Sequence, residues 1–69
     1  GIHISDVKEE LEKYLDSSIV NNQKICKIIH GEGSGILKNE VIRILDGLAI
    51  INKYYADENR KGVTIVEII

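Results

Sequence analysis

Apolar residues recur at helical spacing near the start of the chain. Val7, Leu11, Tyr14 or Leu15, and Ile19 lay one apolar stripe along SDVKEELEKYLDSSIVNN, which predicts a first helix from Ser5 to Asn22. Asp6 with Glu9 three places on makes a capping box, with Ser5 as the rival cap. Lys8–Glu12 and Glu9–Lys13 stand four apart on the polar side, each pair worth about 0.2–0.5 kcal/mol. The asparagines at 21 and 22 end the helix, because Asn tolerates a left-handed exit.

The period then changes. KICKIIH, from Lys24 to His30, is short and rich in β-branched residues, which predicts a strand. Ile25 and Ile29 fall on one face, Cys26 and Ile28 on the other, as in a strand covered on both sides; Lys27 marks a wet edge. A second helix is predicted from Ser34 to Asp46. Leu37, Val41, Ile44, Leu45 and Leu48 form its inner stripe, and Gly47 its C-cap. AIINKYYA and GVTIVEII read as two strands of an antiparallel hairpin whose polar loop, DENRK, ends at Gly62. Tyr54 and Tyr55 point to opposite faces, so one of them is exposed, either as an ordinary sheet-surface residue, the commoner case, or to stack on a base.

The order is helix, strand, helix, strand, strand. GIHI stands where a preceding strand would end, so the expected architecture is an α/β sandwich lacking much of its first strand. The 69 residues make one domain, 1–69, which at this size buries only about 60% of its unfolded surface. Cys26 is the one cysteine, so no disulfide forms within the chain. With two histidines it also leaves no four-ligand zinc cluster. Sparse cysteine fits a reducing interior, and the expected location is cytoplasmic. No apolar run nears the length of about 18 residues that marks a membrane span, and the polar start is no signal peptide. The absence of an initiating Met predicts a fragment or a processed chain. A formal net charge of −2 weighs against a dedicated nucleic-acid domain unless basic clusters override the total locally.

The candidate chemistry lies in IIHGEGSGILKNEV, where Gly31, Gly33 and Gly35 follow His30 and open the second helix. Glycines let main-chain N–H groups approach a ligand, and a helix start adds unpaired donors and partial positive charge. Ser34 is the expected N-cap, and Lys38, one turn in, adds a cation. The spacing G-x-G-x-G is neither the dinucleotide fingerprint nor a phosphate loop, so the segment reads either as an anion cradle or as a tight corner. Glu9, Glu10 and Glu12 form a solvated helix face, and no second acidic cluster stands at metal-ligand spacing. Cys26 reads as a buried, inert thiol.

GIHISDVKEELEKYLD, KICKIIHGEGSGILKNEV and GVTIVEI together resemble the small MutS-related, or Smr, domain across nearly the whole chain. That family carries an LDLH or LDLR motif before a Gly, an IIHGxGxGxL turn and a closing GVTVVEL-like strand. The resemblance implies a two-layer βαβαββ sandwich with two helices and a four-stranded mixed sheet, its first strand shortened or missing here. It implies nucleic acid as ligand: branched or duplex DNA, with RNA or the ribosome in some relatives. It also implies endonuclease or nicking activity at the C-terminus of bacterial MutS-like ATPases that serve repair and recombination. ATP would enter only through such an upstream ATPase, which could also supply a dimer contact. A divalent metal is left open, and no membrane partner is implied. His30 matches the motif histidine, as catalytic group or phosphate donor; its alternative role is to cap the strand and bond the turn.

Gly31, Gly33, Ser34, Gly35 and Lys38 are the accompanying nucleic-acid-binding residues, with Arg60 and Lys61 reaching from the hairpin loop. Lys24, Lys27 and Arg43 are weaker candidates for phosphate contact, while His3 does not align with the motif. The family's acidic LDL[HR] residues would precede Gly1, so hydrolysis is expected of the intact protein and not of this stretch alone. Glu32 stands where many members carry Lys or Arg, and a carboxylate there repels phosphate by about 1 kcal/mol at 4 Å in water.

Overall fold

The computed structural model describes residues 4–69. Helix α1 spans Ile4–Val20, strand β1 Ile25–Ile29, helix α2 Ile36–Asp46, strand β2 Ile51–Ala56 and strand β3 Val63–Ile68. The strands form one sheet in the order β1-β3-β2. β3 pairs antiparallel with both neighbours, Cys26 opposite Val66 on one side and Tyr54 opposite Val66 on the other. β1 and β2 therefore run in the same direction on either side of β3. The arrangement agrees with the two-layer sandwich having a shortened sheet. A first strand, and the mixed character it would add, lies outside the described residues.

The core is a single layer of side chains between the helices and one sheet face. Val7, Leu11 and Leu15 from α1 meet Val41, Ile44 and Leu45 from α2 above Cys26, Val66 and Ile68. Leu15, Leu45, Val66 and Cys26 are all but fully buried, as their periodicity requires. One inward position of α1 breaks the apolar pattern. Ser18 is buried there, its hydroxyl donating to the Tyr14 carbonyl at 3.0 Å, while Ile19 stays exposed. Stripe spacing permitted either, and the satisfied hydroxyl makes the polar choice tolerable. Asp6 lies in the first turn of α1, inside the helix and not at its cap, where its charge suits the helix dipole. Glu9–Lys13 is formed at 3.4 Å. Asn22 takes φ 60° at the helix exit, and Gly47 caps α2 by donating to the Ile44 carbonyl at 3.0 Å.

The expectation that β1 is covered on both faces is not met. Ile25 and Ile29 are 59% and 69% exposed, because both helices lie on the face that carries Cys26 and Ile28. The outer face is instead tied together by polar contacts. Lys27 reaches Asp57 at 3.7 Å, Lys53 reaches Glu67 at 3.8 Å, and the Tyr55 hydroxyl donates to Glu67 at 2.8 Å. That hydrogen bond to a carboxylate holds the Tyr55 phenol above the ordinary tyrosine value. Tyr54 faces the core layer and donates to Asp46 at 2.6 Å, with the same upward effect on its phenol.

Candidate functional site

β1 stops at Ile29 because the next residues turn away from the sheet. The His30 and Gly31 N–H groups both donate to the Gly62 carbonyl, each at 3.0 Å. Gly31 has φ +78°, and Gly62, at the far end of the hairpin loop, has φ +76°. A Cβ on Gly62 would fall 2.8 Å from the Gly31 carbonyl carbon and 2.9 Å from its Cα. The glycine turn and the β2–β3 loop are thus in direct backbone contact, and only glycine fits between them.

This contact forms a groove of about 340 Å³. One wall is the turn, with His30, Gly31, Glu32, Gly35 and Lys38. The other is the hairpin, with Asp57, Arg60, Lys61, Gly62 and Thr64. A second depression of about 290 Å³ on the turn adds Gly33, Ser34, Ile36 and Leu37. Every residue selected from the motif and the loop, from His30 to Lys61, therefore lines one hollow or both. Lys24 and Arg43 line neither. Arg43 is paired with Glu40 on α2, and its hydrogen bond holds the Glu40 carboxyl below the usual range. Lys27 is engaged with Asp57, and exposed Tyr55 lies on the outer sheet face, away from the groove. His3 lies outside the described residues.

The turn's main-chain donors divide into two sets. Those of His30 and Gly31 point inward to Gly62. Those of residues 32–35, and of Leu37 and Lys38 in the first turn of α2, have no acceptor among the described residues. Ser34 is not the N-cap. Helix α2 starts at Ile36 behind Gly35, whose φ of +84° suits glycine and not serine; the Ser34 hydroxyl only accepts from the Ile36 N–H at 3.4 Å. Gly33 differs from its neighbours, since its φ is ordinary and a Cβ there would meet nothing within 4 Å. Glycine is therefore not required at position 33 for the shape of the turn.

Three cations, Lys38, Arg60 and Lys61, line the groove against two carboxylates, Glu32 and Asp57. Asp57 lies 3.7 Å from Lys27, and its side chain is only 7% exposed. Glu32 is exposed and lines the same groove. His30 is half-buried and both ring nitrogens have partners. Nδ1 lies 2.9 Å from the Gly31 carbonyl, and Nε2 lies 2.8 Å from the Thr64 hydroxyl. Among the described residues no group of three His, Cys, Asp or Glu converges as metal ligands do.

A family profile described as the Smr domain matches residues 1–69. The chain belongs to the Smr domain family. Endonuclease MutS2 of Borreliella burgdorferi is 39% identical over 71 residues, covering 99% of this chain and 9% of that protein. Endonuclease MutS2 of Geobacillus kaustophilus is 35% identical over the same shares. This Smr domain thus spans about one-eleventh of the length of the curated relatives it matches. The crystal structure of the Smr domain of Thermus thermophilus MutS2 superposes with a TM-score of 0.92 at 19% identity, covering 100% of this chain and 90% of that one. That similarity establishes the Smr fold for α1 through β3. Among the described residues no helix is long and apolar enough to cross a membrane.

Two site features of this Smr domain were not read from the sequence. The Gly62 latch and the Thr64–His30 contact join residues more than thirty positions apart, and local patterns do not report such pairings. One signal for Thr64 was present. It is the polar member of the inward row Thr64, Val66, Ile68, and a buried hydroxyl needs a partner.

Proposed function

We propose that this Smr domain holds a nucleic-acid sugar–phosphate strand in the groove between the glycine turn and the β2–β3 loop. One observation carries the reading: the uncommitted N–H groups of residues 32–35 stand beside Lys38, with Arg60 and Lys61 on the facing wall. Main-chain donors and a helix start take a phosphate oxygen without reading base sequence. The two loop cations would grip adjacent phosphates.

In the intact protein, the proposed reaction is nicking of branched DNA by phosphodiester hydrolysis. Water adds across one P–O bond, leaving a phosphate on one strand end and a hydroxyl on the other. His30 is the one imidazole that lines the groove among the described residues and would supply or take a proton there. The relatives named endonuclease MutS2 support hydrolysis, and no step is routed through a metal. The second reading is a binding module for DNA, RNA or the ribosome that does not cut. It is favoured by Glu32 at the groove wall and by both His30 nitrogens being occupied.

Salt dependence tests the binding common to both. Each neutralised phosphate contributes about 0.9 to the slope of log affinity against log salt on B-DNA. Replacing Lys38, Arg60 and Lys61 together by Ala should flatten the slope by roughly 2–3. An unchanged slope in fluorescence anisotropy with a short duplex would place the strand elsewhere.

A further inference from the structure

We propose that Thr64 is a positioning residue for His30: its hydroxyl donates to Nε2 and anchors the inner end of the ring, so that Nδ1–H is held at the groove as the donor offered to a phosphate oxygen. The phosphate half of this inference rests on the nucleic-acid reading above; the hydrogen-bond half does not. A carbonyl oxygen only accepts, so the 2.9 Å contact from Nδ1 to the Gly31 carbonyl requires the hydrogen on Nδ1. A neutral ring then has a lone pair on Nε2, and the Thr64 hydroxyl at 2.8 Å donates to it.

The two ends of the ring differ in surroundings. The contact with Thr64 is part-buried, and Thr64 itself is 3% exposed on β3, opposite Ile28 of β1. The contact with Gly31 is exposed. The sheet therefore fixes the inner end, where water competes poorly. The outer end holds a donor whose present acceptor, a solvent-facing carbonyl, can be exchanged for a phosphate oxygen at the cost of one ordinary hydrogen bond. The Gly31 carbonyl sets the tautomer, and the sheet anchors the ring through Thr64, 34 residues away in sequence.

Two variants separate this role from mere packing. Thr64→Val removes the hydroxyl while keeping the β-branched shape, and Thr64→Ser keeps the hydroxyl. Ring ¹⁵N spectra of the chain without ligand should show Nδ1–H as the main neutral form in the wild type and in Thr64→Ser. In Thr64→Val the Nε2 resonance should lose the displacement an accepted hydrogen bond gives it, while Nδ1–H, set by the Gly31 carbonyl, stays the main neutral form. Affinity for a short DNA duplex should fall about fivefold in Thr64→Val and recover in Thr64→Ser. Amide spectra of both variants check that the fold persists. A wild-type ring protonated on Nε2, or an Nε2 resonance indifferent to Thr64→Val, overturns the assignment. A changed Nε2 resonance with unchanged duplex affinity overturns the phosphate half alone. A wild type that binds no duplex rejects the proposed function and the phosphate half, and the ring spectra still decide the tautomer.

Discussion

Gly62→Ala should lower the thermal midpoint of this Smr domain by roughly 12–24 °C and open the groove. At φ +76° an L-residue is strained by about 1 kcal/mol, and the new Cβ would lie 2.8 Å from the Gly31 backbone. Backbone cannot give way as a flexible side chain can, so the loop must lift from the turn. Lifting it removes the acceptor of two N–H groups, His30 and Gly31, at about 1 kcal/mol each. The sum is about 3 kcal/mol, and a domain of this size loses about 4–8 °C per kcal/mol. Gly33→Ala is the internal control. It adds a methyl group that meets nothing within 4 Å at an ordinary φ, so its midpoint should shift by no more than about 0.5 kcal/mol implies. Equal melting of the two variants would show that the loop contact carries little stability.

Removing the imidazole should affect strand cleavage far more than strand binding. In the intact protein, His30→Ala is expected to slow nicking of branched and plasmid DNA by about a hundredfold or more, the usual worth of a placed general acid or base. Duplex affinity should change less than about tenfold, because the cations and free amides remain. Lys38, Arg60 and Lys61 replaced together should show the reverse: weak binding throughout, with cleavage restored in part at high protein concentration. Identical nicking by wild type and His30→Ala would remove His30 from the chemistry and select the non-cutting reading. Binding by a wild type that never nicks would do the same.

The elements were legible because each had its own period. Val41, Ile44 and Leu45 mark α2 at helical spacing, and Cys26 and Ile28 mark the inner face of β1. The errors arose where the alphabet of one segment is ambiguous. Ile25 and Ile29 are β-branched and suited any strand face, but which face the helices cover is decided by chain connections outside β1. Ser34 and Gly35 are both acceptable before a helix. The left-handed φ at Gly35, needed to bring α2 back across the sheet, assigned the cap position to glycine. The groove was half legible. His30 through Lys38 form one continuous motif, whereas Asp57, Gly62 and Thr64 enter through antiparallel pairing of β3 with both neighbours.

The account depends on the free amides of the glycine turn receiving phosphate. Amide shifts during titration with a short DNA duplex test this most directly. The account predicts that Gly33, Ser34 and Gly35 move most and that their shifts fade as salt rises. Gly31, already bonded to Gly62, should move less. Shifts confined to α1 or the outer sheet face, with the turn unmoved, would contradict it.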